Sequence, residues 1–113
     1  MKLLNFDIFA HSTEKMGPAS VCFIDGDFRN ISSDYQYELI IANSEGSWEK
    51  FSNPRYSPKL YSRGGMPICF NYLNLNSLNV KANEKIKIIV LKREKTSGNV
   101  LSSEVINTLL PGE

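Results

Sequence analysis

Short segments in which every second residue is apolar constrain the fold of this chain more than any other feature. Such alternation is typical of β-strands that bury one face. Turn-forming residues such as Asp25 and Gly26 separate the segments, and no amphipathic helix of about ten residues lies between them. The pattern predicts an all-β fold, a small antiparallel β-sandwich or barrel of six to eight short strands. The clearest segments are residues 2–10, 35–43, 66–72 and 85–95.

A chain of 113 residues is long enough to bury one hydrophobic core. We therefore expect a single β domain spanning residues 1–113. The alternation also predicts which side chains form its core. They are Phe6, Ile8, Val21, Phe23, Leu39, Ile41, Ile68, Phe70, Ile88 and Val90.

Two places depart from simple alternation. After residues 66–72 the apolar set shifts to Leu73 and Leu75, which predicts a bulge or break in that strand. Residues 100–110 fit two structures, since Val105 and Leu109 have helical spacing while the whole segment could form the second arm of a hairpin. We favour the strand, with a short C-terminal helix as the alternative.

The two cysteines indicate whether the protein is intracellular or secreted, because disulfides form mainly outside the cytoplasm. Cys22 and Cys69 lie far apart in the sequence without a CxxC motif. Each is embedded in an apolar segment, where a free cysteine behaves as a small buried hydrophobe. We predict two free, unreactive thiols and, from them, an intracellular, cytoplasmic setting rather than secretion.

Catalytic motifs are missing from the sequence. The single histidine, His11, lies beside Ser12 and Thr13 in a polar segment, which favours a solvated loop residue. One histidine and two separated cysteines do not make a four-ligand zinc site. Asp25 begins a segment that resembles a calcium loop, but Arg29 stands where an oxygen ligand is needed. We predict that the chain is not an enzyme and needs neither metal nor cofactor.

The segment at about 48–67 stands out as a long basic-aromatic loop. From Lys50 to Pro67 it carries four basic residues and no acidic one, interleaved with aromatic side chains. Arginine and tyrosine are frequent in interface hot spots, and aromatic and cationic side chains also stack on nucleic-acid bases. Long loops without their own structure are often functional. The predicted partner-binding residues are Trp48, Arg55, Tyr56, Lys59, Tyr61 and Arg63.

These features favour a non-catalytic protein-interaction module that presents a Tyr/Arg-rich loop to a protein partner or to another copy of itself. Accessory and structural proteins of phages and viruses are often built this way. The alternative is a nucleic-acid-binding β domain using the same loop, but a net charge of +1 gives no general attraction for nucleic acid. A third interpretation makes the loop a structural plug. We expect no membrane association.

Overall fold

Eight strands form two antiparallel sheets in the computed structural model, which describes residues 3–10, 19–26, 35–56, 67–80 and 83–110. The first sheet has the strand order β1-β2-β6-β5 and the second has the order β4-β3-β7-β8. A short 3-10 turn, Asn76–Leu78, precedes β7. The strands are β1 (Leu3–Ala10), β2 (Ala19–Asp25), β3 (Tyr35–Ala42), β4 (Trp48–Phe51), β5 (Arg55–Tyr56), β6 (Pro67–Leu73), β7 (Lys85–Glu94) and β8 (Val100–Leu109).

The two sheets bury a common core, which confirms the prediction of a small all-β sandwich. Residues 100–109 form a strand rather than a helix. The predicted core is confirmed as well: Phe6 and Ile8 pack against it partly buried, and the other eight predicted residues are buried within it. Away from the irregularities in β1 and β6, successive side chains point to opposite faces of their sheet.

The predicted irregularity in β6 is confirmed as a bulge. Val21 of β2 pairs with Phe70, but Ala19 pairs with Leu73, so β6 contains one more residue than β2 between these two pairs. Tyr72 has a φ of 53°, the left-handed conformation that accompanies some bulges. The extra residue returns Leu73 to the core, which explains the change of phase in the sequence.

The prediction of one long loop at about 48–67 is wrong for the first part of that segment, which contains two strands. β4 pairs with β3, placing Phe51 opposite Leu39, and β5 pairs with β6. The alternation in β4, with Phe51 against the core and Trp48 exposed, is the ordinary pattern of a strand. Residues 57–66 lie outside the described residues.

The prediction of two free thiols is also wrong. Cys22 of β2 and Cys69 of β6 lie directly opposite each other and form a disulfide, with their Cα atoms 4.2 Å apart. This separation is that of a closely spaced antiparallel pair, in which facing side chains approach each other. The intracellular setting rested on free thiols, and it stays a prediction without that support.

Two further expectations concern parts of the chain that are not described. His11 and residues 27–34, which follow the expected turn at Asp25 and Gly26, lie outside the described residues. Gly26 itself is in a turn at the end of β2, as predicted.

Candidate interaction surface

The outward-facing side of the second sheet, called here the outer face, carries apolar residues in neighbouring strands. Ile40 of β3 lies beside Ile89 of β7, and Ile89 lies beside Val105 of β8. Ile40 and Ile89 are half-buried by their neighbours, whereas Val105 is 53% exposed. Because core-facing residues occupy the alternate positions of the same strands, this apolar row is additional to the core.

Trp48 stands at the β4 edge of the outer face with 62% of its surface exposed. It lies opposite Ala42, and the same row continues to Lys87 and Asn107. A groove of about 570 Å³ lies at this end of the sheet, lined by Lys87 and Leu109 among others. An exposed tryptophan offers a large, rigid contact area.

Charged side chains border the apolar row on the side away from Trp48. The Glu38 carboxylate forms ion pairs with Lys50 and Arg93, each with an N–O distance of 3.0 Å. Burial by itself would raise the pKa of Glu38, but the hydrogen bonds from these two cations outweigh it and hold the pKa below its ordinary value. The carboxylate therefore stays ionised, and the outer face has an apolar centre with a paired ionic rim.

The predicted site residues do not share one face. Arg55 lies opposite Cys69, a position that points away from the core, whereas Tyr56 lies opposite the buried Ile68. Tyr56 lines a cleft of about 310 Å³ together with Tyr37, and burial raises the pKa of its hydroxyl. Trp48 lies on the other sheet. Lys59, Tyr61 and Arg63 are outside the described residues.

A buried ionic cluster joins the two sheets near that cleft. The Tyr37 hydroxyl donates a hydrogen bond of 2.6 Å to Oδ2 of Asp25, and Nζ of Lys92 lies 3.1 Å from the same oxygen. Lys92 also sits 4.7 Å from the ring centroid of Tyr35, a favourable cation–π distance. Asp25 comes from the first sheet and the other three residues from the second.

Enclosure gives this cluster a structural role. Asp25, Tyr37 and Lys92 are all buried, so water cannot solvate the two charges and they must be satisfied by each other and by their neighbours. Burial first, and then the hydrogen bond to Asp25, raise the pKa of Tyr37 well above its ordinary value. The hydroxyl remains protonated and acts as a donor that fixes Asp25 in place.

The sequence interpretation missed both the outer face and the buried cluster, although each leaves a signal. Leu39-Ile40-Ile41 and Ile88-Ile89-Val90 are consecutive apolar runs, which mean that both faces of the strand are apolar. Lys92 continues the core-facing series of β7 at even positions. A charged residue at a position that faces the core indicates that a buried partner neutralises it, so Lys92 could have been identified from the sequence.

Comparison with known proteins gives no relative from which a site could be transferred. The chain matches no family model, no curated protein and no solved structure. Within the described ranges, no three His, Cys, Asp or Glu side chains come together as metal ligands would. No helix in the described part of the chain has the length and apolar character of a membrane span.

Proposed function

We propose that this chain is a non-catalytic protein-interaction domain that binds a protein partner through the outer face of its second sheet. The observation that carries the proposal is the exposure of Trp48 next to the apolar row of Ile40, Ile89 and Val105. Large exposed apolar patches on folded proteins commonly mark interaction sites. Tryptophan is also among the residues that most often dominate binding energy.

The arrangement around Trp48 resembles the anatomy of protein interfaces. An apolar centre is bordered by the ion pairs of Glu38 with Lys50 and Arg93, as interface cores are bordered by polar rims. Phage and viral accessory or structural proteins are among the proteins built this way, and the partner would then belong to the same assembly. Arg55, on the opposite sheet, would form part of a separate contact.

The test is partner capture from an extract of the source organism by immobilised wild-type protein and by the Trp48→Ala variant. We expect Trp48→Ala to weaken capture by about tenfold or more, because removal of a hot-spot tryptophan costs about 2 kcal/mol or more of binding energy. Tyr72→Ala is the matched control, since Tyr72 is an equally exposed aromatic residue on the first sheet.

Equal capture by wild type and Trp48→Ala would refute the proposal. Nuclease treatment and a salt titration separate it from the nucleic-acid alternative. Contacts to phosphates weaken steeply with salt, whereas an apolar contact through Trp48 does not. Capture that disappears with nuclease would therefore identify the chain as a nucleic-acid binder.

A further inference from the structure

In the part of the chain that the structure describes, each sheet ends in two edge strands, and three of these four edges carry features that oppose pairing with another chain. β4 has four residues and includes Glu49 and Lys50, while β5 has only two residues. In β1 the register shifts between Leu4 and Asp7, and Asn5 has a φ of 52°. Short length, charges and bulges are the usual means by which proteins protect an exposed edge.

β8 has little of this protection. It is ten residues long and carries one charged residue, Glu104. Its pairing with β7 is regular from Leu109 to Ser102, with a register shift only at its beginning. None of the other described strands pairs with its far side. The backbone groups of a long, regular strand on such an edge are available to a further strand.

The exposed apolar residues of the molecule concentrate on this same strand. Of the seven large hydrophobic residues exposed in the described part of the chain, four belong to β8. Exposed apolar side chains are unfavourable in water and unpaired backbone groups can pair with a further strand, so one additional strand would cover the first and use the second. The four residues are Val100, Leu101, Val105 and Leu109.

The order of residues in β8 matches that of a second, antiparallel copy of itself. If a two-fold axis passes beside Val105, Val105 faces Val105 of the second copy and Leu101 faces Leu109. Ser103 then faces Asn107. Apolar residues meet apolar ones at positions 101, 105 and 109, and polar residues meet polar ones at positions 102, 103, 107 and 108, while Glu104 faces Ile106. Directly opposed side chains in antiparallel strands contribute favourably when they match in this way.

Charge selects against the adjacent register. An axis beside Glu104 would place the two Glu104 carboxylates directly opposite each other, and like charges in that position destabilise a strand pair. An axis beside Val105 instead puts each Glu104 next to Ile106 of the second copy, away from the other carboxylate.

We propose that β8 pairs with β8 of a second copy about a two-fold axis at Val105, which joins the two second sheets into one continuous eight-stranded sheet. Such an interface is isologous, with the same patch used by both copies. The inference does not depend on the proposed function, because it rests on an edge strand and not on Trp48.

The test is the mass in solution of wild type and of two charged variants, measured by analytical ultracentrifugation over a wide range of concentration. Wild type is expected at twice the chain mass of 12.8 kDa. Val105→Lys and Val105→Glu should each fall to 12.8 kDa, because like charges then face each other across the axis. An equimolar mixture of the two variants should return to the dimer mass. Tyr72→Lys, the same kind of change on the first sheet, should leave the dimer intact.

Several results would overturn the inference. A monomeric wild type at all concentrations would do so, as would a Val105→Lys variant that stays dimeric or a mixture that does not reassociate. Far-UV circular dichroism checks the fold of each variant. Hydrogen exchange of wild type gives a second measurement, since the amides of residues 101–109 that point away from β7 must become more protected as the dimer forms. Unchanged protection of these amides would refute the pairing. Trp48→Ala leaves β8 unchanged and should keep the dimer mass, so a failure of capture and a failure of the dimer are distinguishable.

Discussion

Asp25 and Lys92 show, at the scale of single residues, how a charged side chain can occupy a position that alternation reserves for an apolar one. Both continue the inward-facing series of their strands and end between the sheets. Isolated charges there would be very costly, but a close, hydrogen-bonded pair is tolerated. Together with Tyr37 they link the end of β2 to β3 and β7, so the cluster helps to set how the two sheets align.

The buried pair predicts a strong coupling between its two members. Lys92→Met should lower the free energy of unfolding by about 3–5 kcal/mol, because Asp25 is left as an uncompensated buried charge. The double variant Asp25→Asn with Lys92→Met should lose less than the sum of the single changes. Denaturant unfolding of the four proteins in this cycle measures the coupling. Additive losses would show that Asp25 and Lys92 do not stabilise each other.

Tyr37 predicts a loss of stability at alkaline pH. Its pKa is raised by burial and by the hydrogen bond to Asp25, so the folded state holds its proton more tightly than the unfolded chain does. The resulting stabilisation is complete below the unfolded pKa of about 10, and it is lost as pH rises from there toward the folded pKa.

We therefore expect Tyr37→Phe to be less stable than wild type near neutral pH, by about 1–3 kcal/mol, because Asp25 loses a hydrogen bond. The variant should nevertheless lose less stability than wild type between about pH 9 and 11.5, since it has no hydroxyl to ionise. Thermal melts across this range measure both effects. Tyr72→Phe is the control for removing a hydroxyl from an exposed tyrosine. An alkaline loss of the same size in Tyr37→Phe would contradict the assignment.

At the scale of elements, β2 and β6 are joined covalently as well as by hydrogen bonds. The Cys22–Cys69 disulfide closes a loop with a sequence separation of 47, and restricting such a loop in the unfolded chain stabilises the fold by about 2–4 kcal/mol. We expect the variant Cys22→Ser with Cys69→Ser to be less stable by this amount, as measured by denaturant unfolding.

Thiol labelling tests the same bond directly. In denaturant without reductant neither cysteine should react, and after reduction both should react. Labelling of two thiols in denaturant without reduction would show that the cysteines are free, as the sequence alone had suggested.

The longer strands could be predicted from the sequence because alternation is a local property, and the same holds for the bulge that brings Leu73 back to the core. The short β4 and β5 fall in the segment predicted as a loop instead. Pairing between distant strands was not predictable in this way. The disulfide required knowing that β2 and β6 are neighbours with Cys22 opposite Cys69, and the spacing of 47 residues carries no such information. Tyr56 is exposed at 36%, but its place opposite Ile68 could not be predicted because it depends on pairing with β6.

At the scale of the whole molecule, the second sheet carries apolar side chains on its outer face that do not belong to the core between the sheets. The core is complete on the inner faces, yet Ile40, Ile89 and Val105 form a second apolar row on the outer face of the second sheet. This row runs from Ile40, opposite Lys50 of β4, to Val105 of β8, and Trp48 lies in the neighbouring row. Protein binding across the face centres on Trp48 and pairing follows the β8 edge, and Val105 belongs to both surfaces.

Trp48 is the only tryptophan of the chain, so its fluorescence tests the central claim that this face binds a protein partner. The free protein should show the red-shifted emission and efficient acrylamide quenching of an exposed indole, in keeping with its 62% exposure. The measurement uses a captured partner that contains no tryptophan, or one whose tryptophans have been replaced by a non-fluorescent analogue. Binding of this partner should shift the Trp48 emission to the blue and reduce its quenching, because the indole becomes buried. Emission and quenching that remain those of the free protein in a saturated complex would contradict the account.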